Sequence, residues 1–151
     1  MSSGTARAIR ERVPVATHVC CDLADRYLCA NLARAAALAC GFNEKDAAEI
    51  AVCAAELASN AVRHARRGVV EIFTLEHPAR GIELRCEDEG PGFADPIGAL
   101  QDGWTRGQMS GPDNPARGGL GTGLGAIRRL MDELEIGAGS SGTVVTAKRF
   151  R

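Results

Sequence analysis

The alanine-rich segment between Asn43 and Ala65 limits the possible folds more than any other part of this sequence. Asn43 is a residue type that caps helix starts, and Asp46 follows it three positions later, as in a capped first turn. Apolar residues then recur at helical spacing and predict one buried side, formed by Ile50, Ala54, Leu57, Ala61 and Val62. The segment therefore predicts one long amphipathic helix, which Gly68 ends.

A strand and another helix are predicted before this segment. β-branched residues alternate from Arg12 to Val19, and Pro14 favours an edge position because it cannot donate a hydrogen bond to a neighbouring strand. Helical spacing follows from Cys20 to Cys40, and Gly41 ends it. The predicted apolar stripe of this helix consists of Leu23, Tyr27 or Leu28, Leu32 and Ala35.

Two hairpins are predicted after the long helix. Val69 to Glu76 and Gly81 to Glu89 form the first hairpin, and Glu133 to Ala138 and Thr143 to Phe150 form the second. A helix between the hairpins is indicated by the spacing of Leu124, Ile127, Met131 and Leu134. This order of elements predicts an α+β fold, a two-layer α/β sandwich whose mixed, mainly antiparallel sheet carries its helices on one face.

Length and charge limit the domain organisation and the ligand classes. The chain has 151 residues and predicts one domain from 12 to 151, preceded by a mobile segment from 1 to 11. Its formal charge of −1 gives no overall attraction to nucleic acid or to an acidic membrane. No signal peptide opens the chain, and no apolar run reaches membrane-spanning length. Any charged ligand must therefore be held by a local site.

The spacing and the neighbours of the cysteines indicate the cellular compartment of the protein. None of the six belongs to a C-x-x-C pair or accompanies a histidine cluster. Most lie beside alanine and leucine in helical patterns, where cysteine acts as a small apolar residue. This usage indicates reduced thiols in a cytoplasmic protein, rather than a zinc site or a disulfide framework.

Three polar residues form a row near the end of the long helix. Glu56, Asn60 and His64 recur every four residues, which places them on one side of a helix. A carboxylate, a carboxamide and an imidazole in one row can hold a hydrated metal ion and a phosphate chain. In isolation, however, the row favours the simpler interpretation of a solvated helix face.

A second candidate site follows the predicted strand that begins at Gly81. Alternation places Asp88 on the same face as Ile82, Leu84 and Cys86, toward the helices, where a carboxylate needs a partner. Asp88 can accept a hydrogen bond from an exocyclic amine, and Gly90 and Gly92 would let a flat ring lie against the backbone. The alternative is an ordinary turn.

A glycine-rich run from Gly118 to Gly125 leads into the third predicted helix. Clustered glycines let backbone N–H groups approach an anion, although such a run can also be only a flexible turn. The run is not a P-loop, because Gly123 is followed by Leu124 where Lys is required. It also does not follow a strand, as a dinucleotide fingerprint should. The preceding stretch, about 93 to 119, predicts either disorder or a lid.

Together these stretches read E-x-x-x-N on a helix, D-x-G-x-G after a strand, and G-L-G-x-G-L-G after a loop. This set resembles the GHKL (Bergerat-fold) ATPases, which include gyrase B, Hsp90, histidine kinases and MutL. Within that superfamily, the run from Gly119 to Leu124 and the following Arg129 to Glu133 are most similar to the RsbT-type switch kinases. RsbW/SpoIIAB-type anti-sigma factors are their relatives. The resemblance spans about Arg12 to Phe150 and implies a Bergerat fold.

The resemblance implies a role for each matching residue. Glu56 would be the general base and Asn60 the Mg²⁺ ligand, while Asp88 would bind the adenine amine. The remaining matches belong to three groups: the ring-side glycines Gly90 and Gly92, the phosphate-side loop residues Gly119, Gly121, Thr122, Gly123, Leu124 and Gly125, and Thr143 at the adenine site.

Other charged residues near these motifs are less constrained. His64 could approach the phosphates, or it could only interact with the helix dipole. Arg106 and Arg117 flank the lid and could neutralise a phosphate, but a solvated position is favoured for each. The lid is longer than in RsbT-type kinases, which puts its closure and its partner contacts in question.

The resemblance implies an ATP- and Mg²⁺-dependent serine/threonine kinase of a bacterial partner-switching pathway. Its substrate would be a STAS-domain antagonist, and it would regulate a PP2C-type phosphatase or a sigma factor. The alternative is a binding module that acts mainly by sequestering a sigma factor or another partner. The retained Glu56 favours catalysis, because a protein that only binds does not need it. A homodimer is compatible with either interpretation.

Overall fold

A five-stranded antiparallel sheet forms the framework of the molecule. The computed structural model describes residues 11–89, 104–105, 108–109, 123–139 and 142–151. The strands of the sheet are β1 (Arg12–Cys20), β2 (Gly68–Leu75), β3 (Gly81–Asp88), β6 (Glu133–Ala138) and β7 (Thr143–Phe150). They lie in the order β1-β2-β3-β7-β6, and every described neighbouring pair is antiparallel. The predicted edge position of the strand that contains Pro14 is confirmed.

Three described helices cover one face of this sheet and share a single core with it. They are α1 (Asp25–Cys40), α2 (Glu44–Ala65) and α3 (Leu124–Leu130). Two short strands, β4 (Trp104–Thr105) and β5 (Gln108–Met109), pair with each other within the predicted lid. The α+β two-layer architecture is therefore confirmed. No helix in the described ranges is long and apolar enough to cross a membrane.

The long helix α2 is the centre of the helical layer. The Asn43 side chain accepts a hydrogen bond of 2.8 Å from the Asp46 backbone N–H, which confirms the predicted N-cap. Every residue from Cys53 to Ser59 is buried, so the helix is enclosed on all sides there and not along one stripe only.

The predicted end of α2 at about Ala65 is confirmed, but Gly68 is not the residue that terminates the helix. The helix ends at Ala65, because Arg66 adopts a left-handed conformation with φ of 66°. Gly68 instead begins β2, at a point where the helix lies very close to the sheet. A Cβ atom at Gly68 would lie 2.6 Å from the Cβ of Ala61. Glycine is therefore required here for close approach.

The predicted apolar stripe of α1 is confirmed at Leu32, which is partly buried and packs against the core, but it is wrong at its other positions. Leu23, Tyr27 and Leu28 are 41%, 55% and 44% exposed, and the buried side is formed by Cys29, Ala33 and Ala37. The fully buried residues of α1 are small, and small side chains let a helix backbone approach its neighbours closely. The helix also starts at Asp25 and not at Cys20. The Asp25 carboxylate accepts hydrogen bonds from the backbone N–H groups of residues 21 and 22 and organises the preceding turn.

The other face of the sheet carries ion pairs. Arg85 binds Glu71 at 2.7 Å and Glu87 at 2.8 Å, and Arg12 binds Glu83 at 2.6 Å. Burial acts to lower the pKa of Arg85, but the hydrogen bonds that Arg85 donates to Glu87 and Glu71 raise its pKa overall. Charged residues thus alternate with apolar ones along the central strands, and this alternation directs the helices to the opposite face.

All six cysteines are free thiols, as predicted. Cys20, Cys29, Cys53 and Cys86 are buried on the helix side of the sheet, while Cys21 is exposed. Burial raises the pKa of Cys53 to about 12 and raises the pKa of Cys86 as well. Cys53 and Cys86 therefore act as neutral apolar side chains in the core.

Candidate functional site

The last turns of α2 and the end of β3 meet around a small cavity. Asn60 and His64 line it from α2, and Asp88 lines it from β3. Its other walls are apolar or weakly polar and consist of Leu57, Ala61, Cys86, Leu124 and Val145. Two stretches that the sequence singled out separately are thus brought together.

Glu56 lies one helical turn before Asn60 and is 1% exposed. Asn60 and His64 are only partly exposed. The interpretation of the row as a solvated helix face is therefore wrong for Glu56. A carboxylate in such an enclosed position is costly unless it has polar surroundings, so its presence on α2 calls for a structural or chemical reason.

The alternation of side chains along β3 determines which residues form the sheet side of the cavity. Cys86 faces α2, with its Sγ 3.8 Å from the backbone oxygen of Leu57, and Asp88 lies two residues further on the same face. The predicted orientation of Asp88 toward the helices is confirmed. Gly68 pairs with Asp88 across β2 and β3, and the close contact at Ala61 brings α2 directly over this pair.

Thr143 stands beside Asp88 at the start of β7. Glu87 pairs with Val144, so the same antiparallel register continued by one residue places Thr143 opposite Asp88. Thr143 is 4% exposed, and its Oγ1 has no hydrogen-bond partner among the described residues. An unsatisfied buried hydroxyl costs about 1–3 kcal/mol. A polar ligand that hydrogen-bonds to Thr143 would remove this cost.

The described end of the glycine-rich run forms the start of α3. Gly123 has φ of 79° and ψ of −149°, which only glycine adopts readily, and Leu124 points into the cavity wall. Gly125 is buried in the first turn of the helix. Most other predicted ligand-binding positions lie outside the described residues, namely Gly90, Gly92, Gly119, Gly121 and Thr122, together with Arg106, Arg117 and most of the lid.

Four wall residues were not among the predicted site residues, although the sequence carried signals for them. Leu57 and Ala61 were predicted only as core positions of the long helix. Cys86 shares the strand face of Asp88, and Val145 lies two residues beyond Thr143 on the same face of β7. Alternation within the strands could therefore have identified Cys86 and Val145.

The side chains around the cavity fit a ligand that has a flat, polar ring at one end and an anionic group at the other. Asp88 and Thr143 offer a carboxylate and a hydroxyl beside apolar walls, which suits a heterocycle that carries an amine. Asn60 supplies a carboxamide oxygen, a ligand type that Mg²⁺ accepts. The residues present therefore fit a metal-bound nucleotide.

Comparison with known proteins agrees with this geometry. The profile of the family described as "Histidine kinase-like ATPase domain" matches residues 22–149, which include the candidate positions from Glu56 to Thr143. The protein named serine/threonine-protein kinase RsbT from Bacillus subtilis (strain 168) is 32% identical over 121 residues, which cover 79% of this chain and 84% of that relative. This chain therefore belongs to the histidine kinase-like, or GHKL, family of ATPase domains.

Proposed function

We propose that this protein is an ATP-dependent serine/threonine protein kinase of a bacterial partner-switching pathway. The observation that carries the proposal is the cavity that joins Asn60 and Asp88, with the buried Glu56 one turn away. Similarity to a serine/threonine kinase over most of both chains supports the same activity. The substrate is a serine or threonine hydroxyl of a STAS-domain antagonist, as the resemblance implies.

The adenine end of the nucleotide is assigned to the sheet side of the cavity. The Asp88 carboxylate accepts a hydrogen bond from the exocyclic amine, and the Thr143 hydroxyl gains the partner that the described residues do not give it. Cys86 and Val145 supply apolar contacts to the ring. Gly90 and Gly92 are proposed to lie beside the ring.

The phosphate end is assigned to α2 and to the residues before α3. Bound MgATP supplies the phosphoryl group, and Asn60 holds the Mg²⁺. Backbone N–H groups from Gly119, Gly121, Thr122, Gly123, Leu124 and Gly125 bind the phosphates. His64 lies on the same wall as Asn60 and completes the polar lining.

Glu56 is assigned as the general base. It lies one turn from Asn60, so a hydroxyl that approaches the phosphate would pass close to its carboxylate. Phosphoryl transfer depends mostly on positioning and charge neutralisation, and removal of the hydroxyl proton is the step that needs a side-chain base.

The cavity must open for a nucleotide to bind. Its volume is about 20 Å³, which is room for about one water molecule. Leu124 is buried in the same core as the walls from α2 and the sheet, but it begins a helix of only seven residues. We therefore expect the Leu124 end of α3 to move when nucleotide binds.

The test is phosphate transfer from radiolabelled ATP to a STAS-domain antagonist protein. Glu56→Gln keeps the size of the side chain but removes the base, so we expect at least about a hundred-fold loss of transfer rate. Nucleotide affinity should stay within about two-fold, because Glu56 is assigned to the chemical step and not to binding.

Glu83→Gln is the matched control. Glu83 is also a buried glutamate, at 4% exposure, but it lies on the opposite face of the sheet and binds Arg12. This variant should keep transfer activity. Normal transfer by Glu56→Gln would refute the base assignment, and absence of transfer by the unmodified protein would refute the kinase proposal.

The second candidate function is binding of a partner without phosphoryl transfer. Leu23, Tyr27 and Leu28 favour it, because large apolar side chains exposed together are typical of protein contacts. The partner would be a PP2C-type phosphatase or a sigma factor. Full pathway output from the Glu56→Gln variant would favour this function over catalysis.

A further inference from the structure

Arg149 joins three elements on the helix side of the sheet. It lies near the end of β7, and its side chain is 17% exposed. Nη1 donates a hydrogen bond of 2.6 Å to the backbone oxygen of Leu130, and Nη2 donates one of 2.8 Å to Asp46. The Glu49 carboxylate lies 3.8 Å from Nη1. One guanidinium thus contacts the last residue of α3 and the first two turns of α2.

These contacts suit arginine. A carbonyl in the last turn of a helix has no partner within the helix and carries the negative end of the helix dipole. The planar guanidinium can bind such a carbonyl and a carboxylate at the same time, with fixed geometry. Because α3 has only seven residues, its orientation depends on tertiary contacts of this kind.

The opposite end of α3 forms part of the cavity wall. Leu124 lines the cavity beside Asn60, and it is six residues from Leu130, or about 9 Å along the helix axis. The turn after α3 is also tied to β7, where the Asp132 carboxylate accepts a hydrogen bond of 2.7 Å from the Phe150 backbone N–H. Arg149 adds the link from α3 to α2, the helix that carries Asn60.

We propose that Arg149 is a positioning residue for nucleotide binding, which it supports by fixing the far end of α3 against α2. This inference rests on the proposed function, because it assigns the cavity to a nucleotide. Because Arg149 holds Leu130, α3 can move only by pivoting about that residue. This movement would displace Leu124 and so open or close the cavity. Without this link α3 would be held by its core contacts and by Asp132, so the wall would vary more in position and binding would have to select one position.

The experiment compares Arg149→Gln with Arg85→Gln. Arg85 is a matched control, since it is also partly buried, at 26% side-chain exposure, and binds two carboxylates, but on the opposite face of the sheet. Three quantities are measured for each variant: the Kd of a fluorescent ATP analogue, the KM for ATP with kcat, and the free energy of unfolding in urea.

For Arg149→Gln we expect Kd and KM to rise about ten-fold while kcat changes less, because a misplaced wall weakens binding more than chemistry. Arg85→Gln should lower the free energy of unfolding to a similar extent but leave Kd and KM within about two-fold of the wild-type values. Arg149→Lys keeps the charge but cannot bridge both partners as well, so its Kd should be intermediate.

A merely structural role predicts a different result. If Arg149→Gln lowers the free energy of unfolding and leaves Kd and KM equal to those of Arg85→Gln, the positioning role is refuted. Should Arg149→Gln not fold, a wild-type Kd in Arg149→Lys refutes it equally. If the wild-type protein binds nucleotide but transfers no phosphate, the kinase proposal fails, whereas the Kd comparison still decides the role of Arg149.

Discussion

The strand β3 places the Asp88 side chain where it is expected to bind ATP. It lies on the apolar face of β3, at the cavity and next to Gly68. A hydrogen bond to a charged group contributes about 1.5–3 kcal/mol, so Asp88→Asn should weaken ATP binding by about ten-fold or more. Isothermal titration would measure this change. Asp22→Asn, at an exposed turn, is the control, and unchanged affinity in Asp88→Asn would refute the adenine contact.

The cysteines lead to a prediction about thiol reactivity. Cys21 is exposed, while burial raises the pKa of Cys53 to about 12 and also raises the pKa of Cys40. Since thiolates are the reactive form, a maleimide at about pH 8 should modify Cys21 first. Mass spectrometry after brief labelling would locate the adduct, and Cys21→Ser should remove the fast phase. Fast labelling of Cys53 in the folded protein would contradict its burial.

The position of a site residue was predictable where it depends only on the spacing of residues within one strand or one helix. The position of Asp88 followed from alternation along one strand, and the row that contains Asn60 followed from helical spacing. The burial of Glu56 was not predictable, because it depends on elements that enclose α2 from several directions. The Thr143 hydroxyl has no hydrogen-bond partner in the described part of the chain, and its place beside Asp88 likewise depends on the sheet order, which brings β7 beside β3.

At the scale of elements, the contact between α2 and β2 leaves no room for an added methyl group at Gly68. A methyl group at Gly68 would lie 2.6 Å from the Cβ of Ala61 and 3.4 Å from the Cβ of Asp88. Gly68→Ala should therefore lower the free energy of unfolding by about 1–3 kcal/mol, because the helix must move away from the sheet. It should also weaken nucleotide binding, because Asp88 and Ala61 both line the cavity.

Gly137→Ala in β6 provides the control, because its Cβ would have nothing within 4 Å. This change should alter the free energy of unfolding by less than about 0.5 kcal/mol. Urea unfolding of both variants tests the prediction. Equal stability of the two would show that α2 and β2 can separate without cost.

Element boundaries were predictable where a residue type acts locally. Asn43 caps α2 as expected, and the bounds of β6 and β7 agree with the alternation in the sequence. The buried side of α1 was not predictable from apolar spacing. Small residues make the helix–helix contact, and the larger Leu23 and Tyr27 remain exposed. Which side of an alanine-rich helix is buried depends on its neighbour and not on its own pattern.

At the scale of the whole molecule, Asp25 couples folding to pH. Hydrogen bonds from His18, and then from the backbone N–H groups of residues 21 and 22, lower the pKa of Asp25 from 3.8 to about 2. A lowered pKa in the folded state stabilises the protein above about pH 4, and this contribution is lost as the pH falls toward about 2.

Asp25→Asn should therefore flatten the dependence of the free energy of unfolding on pH between about pH 4 and pH 2. Urea unfolding at several pH values would measure the slope. His18→Gln removes the largest cause of the shift and should reduce the slope in part. A wild-type slope in Asp25→Asn would contradict the assignment.

The place of β7 in the sheet sets the order in which the molecule can be completed during synthesis. β7 lies between β3 and β6, and among the described strands β6 pairs with β7 alone. Thr143, Val145 and Arg149 all belong to β7. While the chain is still on the ribosome, β1, β2 and β3 can pair, but the cavity cannot close until β7 has emerged. Nascent chains should therefore acquire nucleotide affinity only after β7 has emerged, later than most of the helical layer.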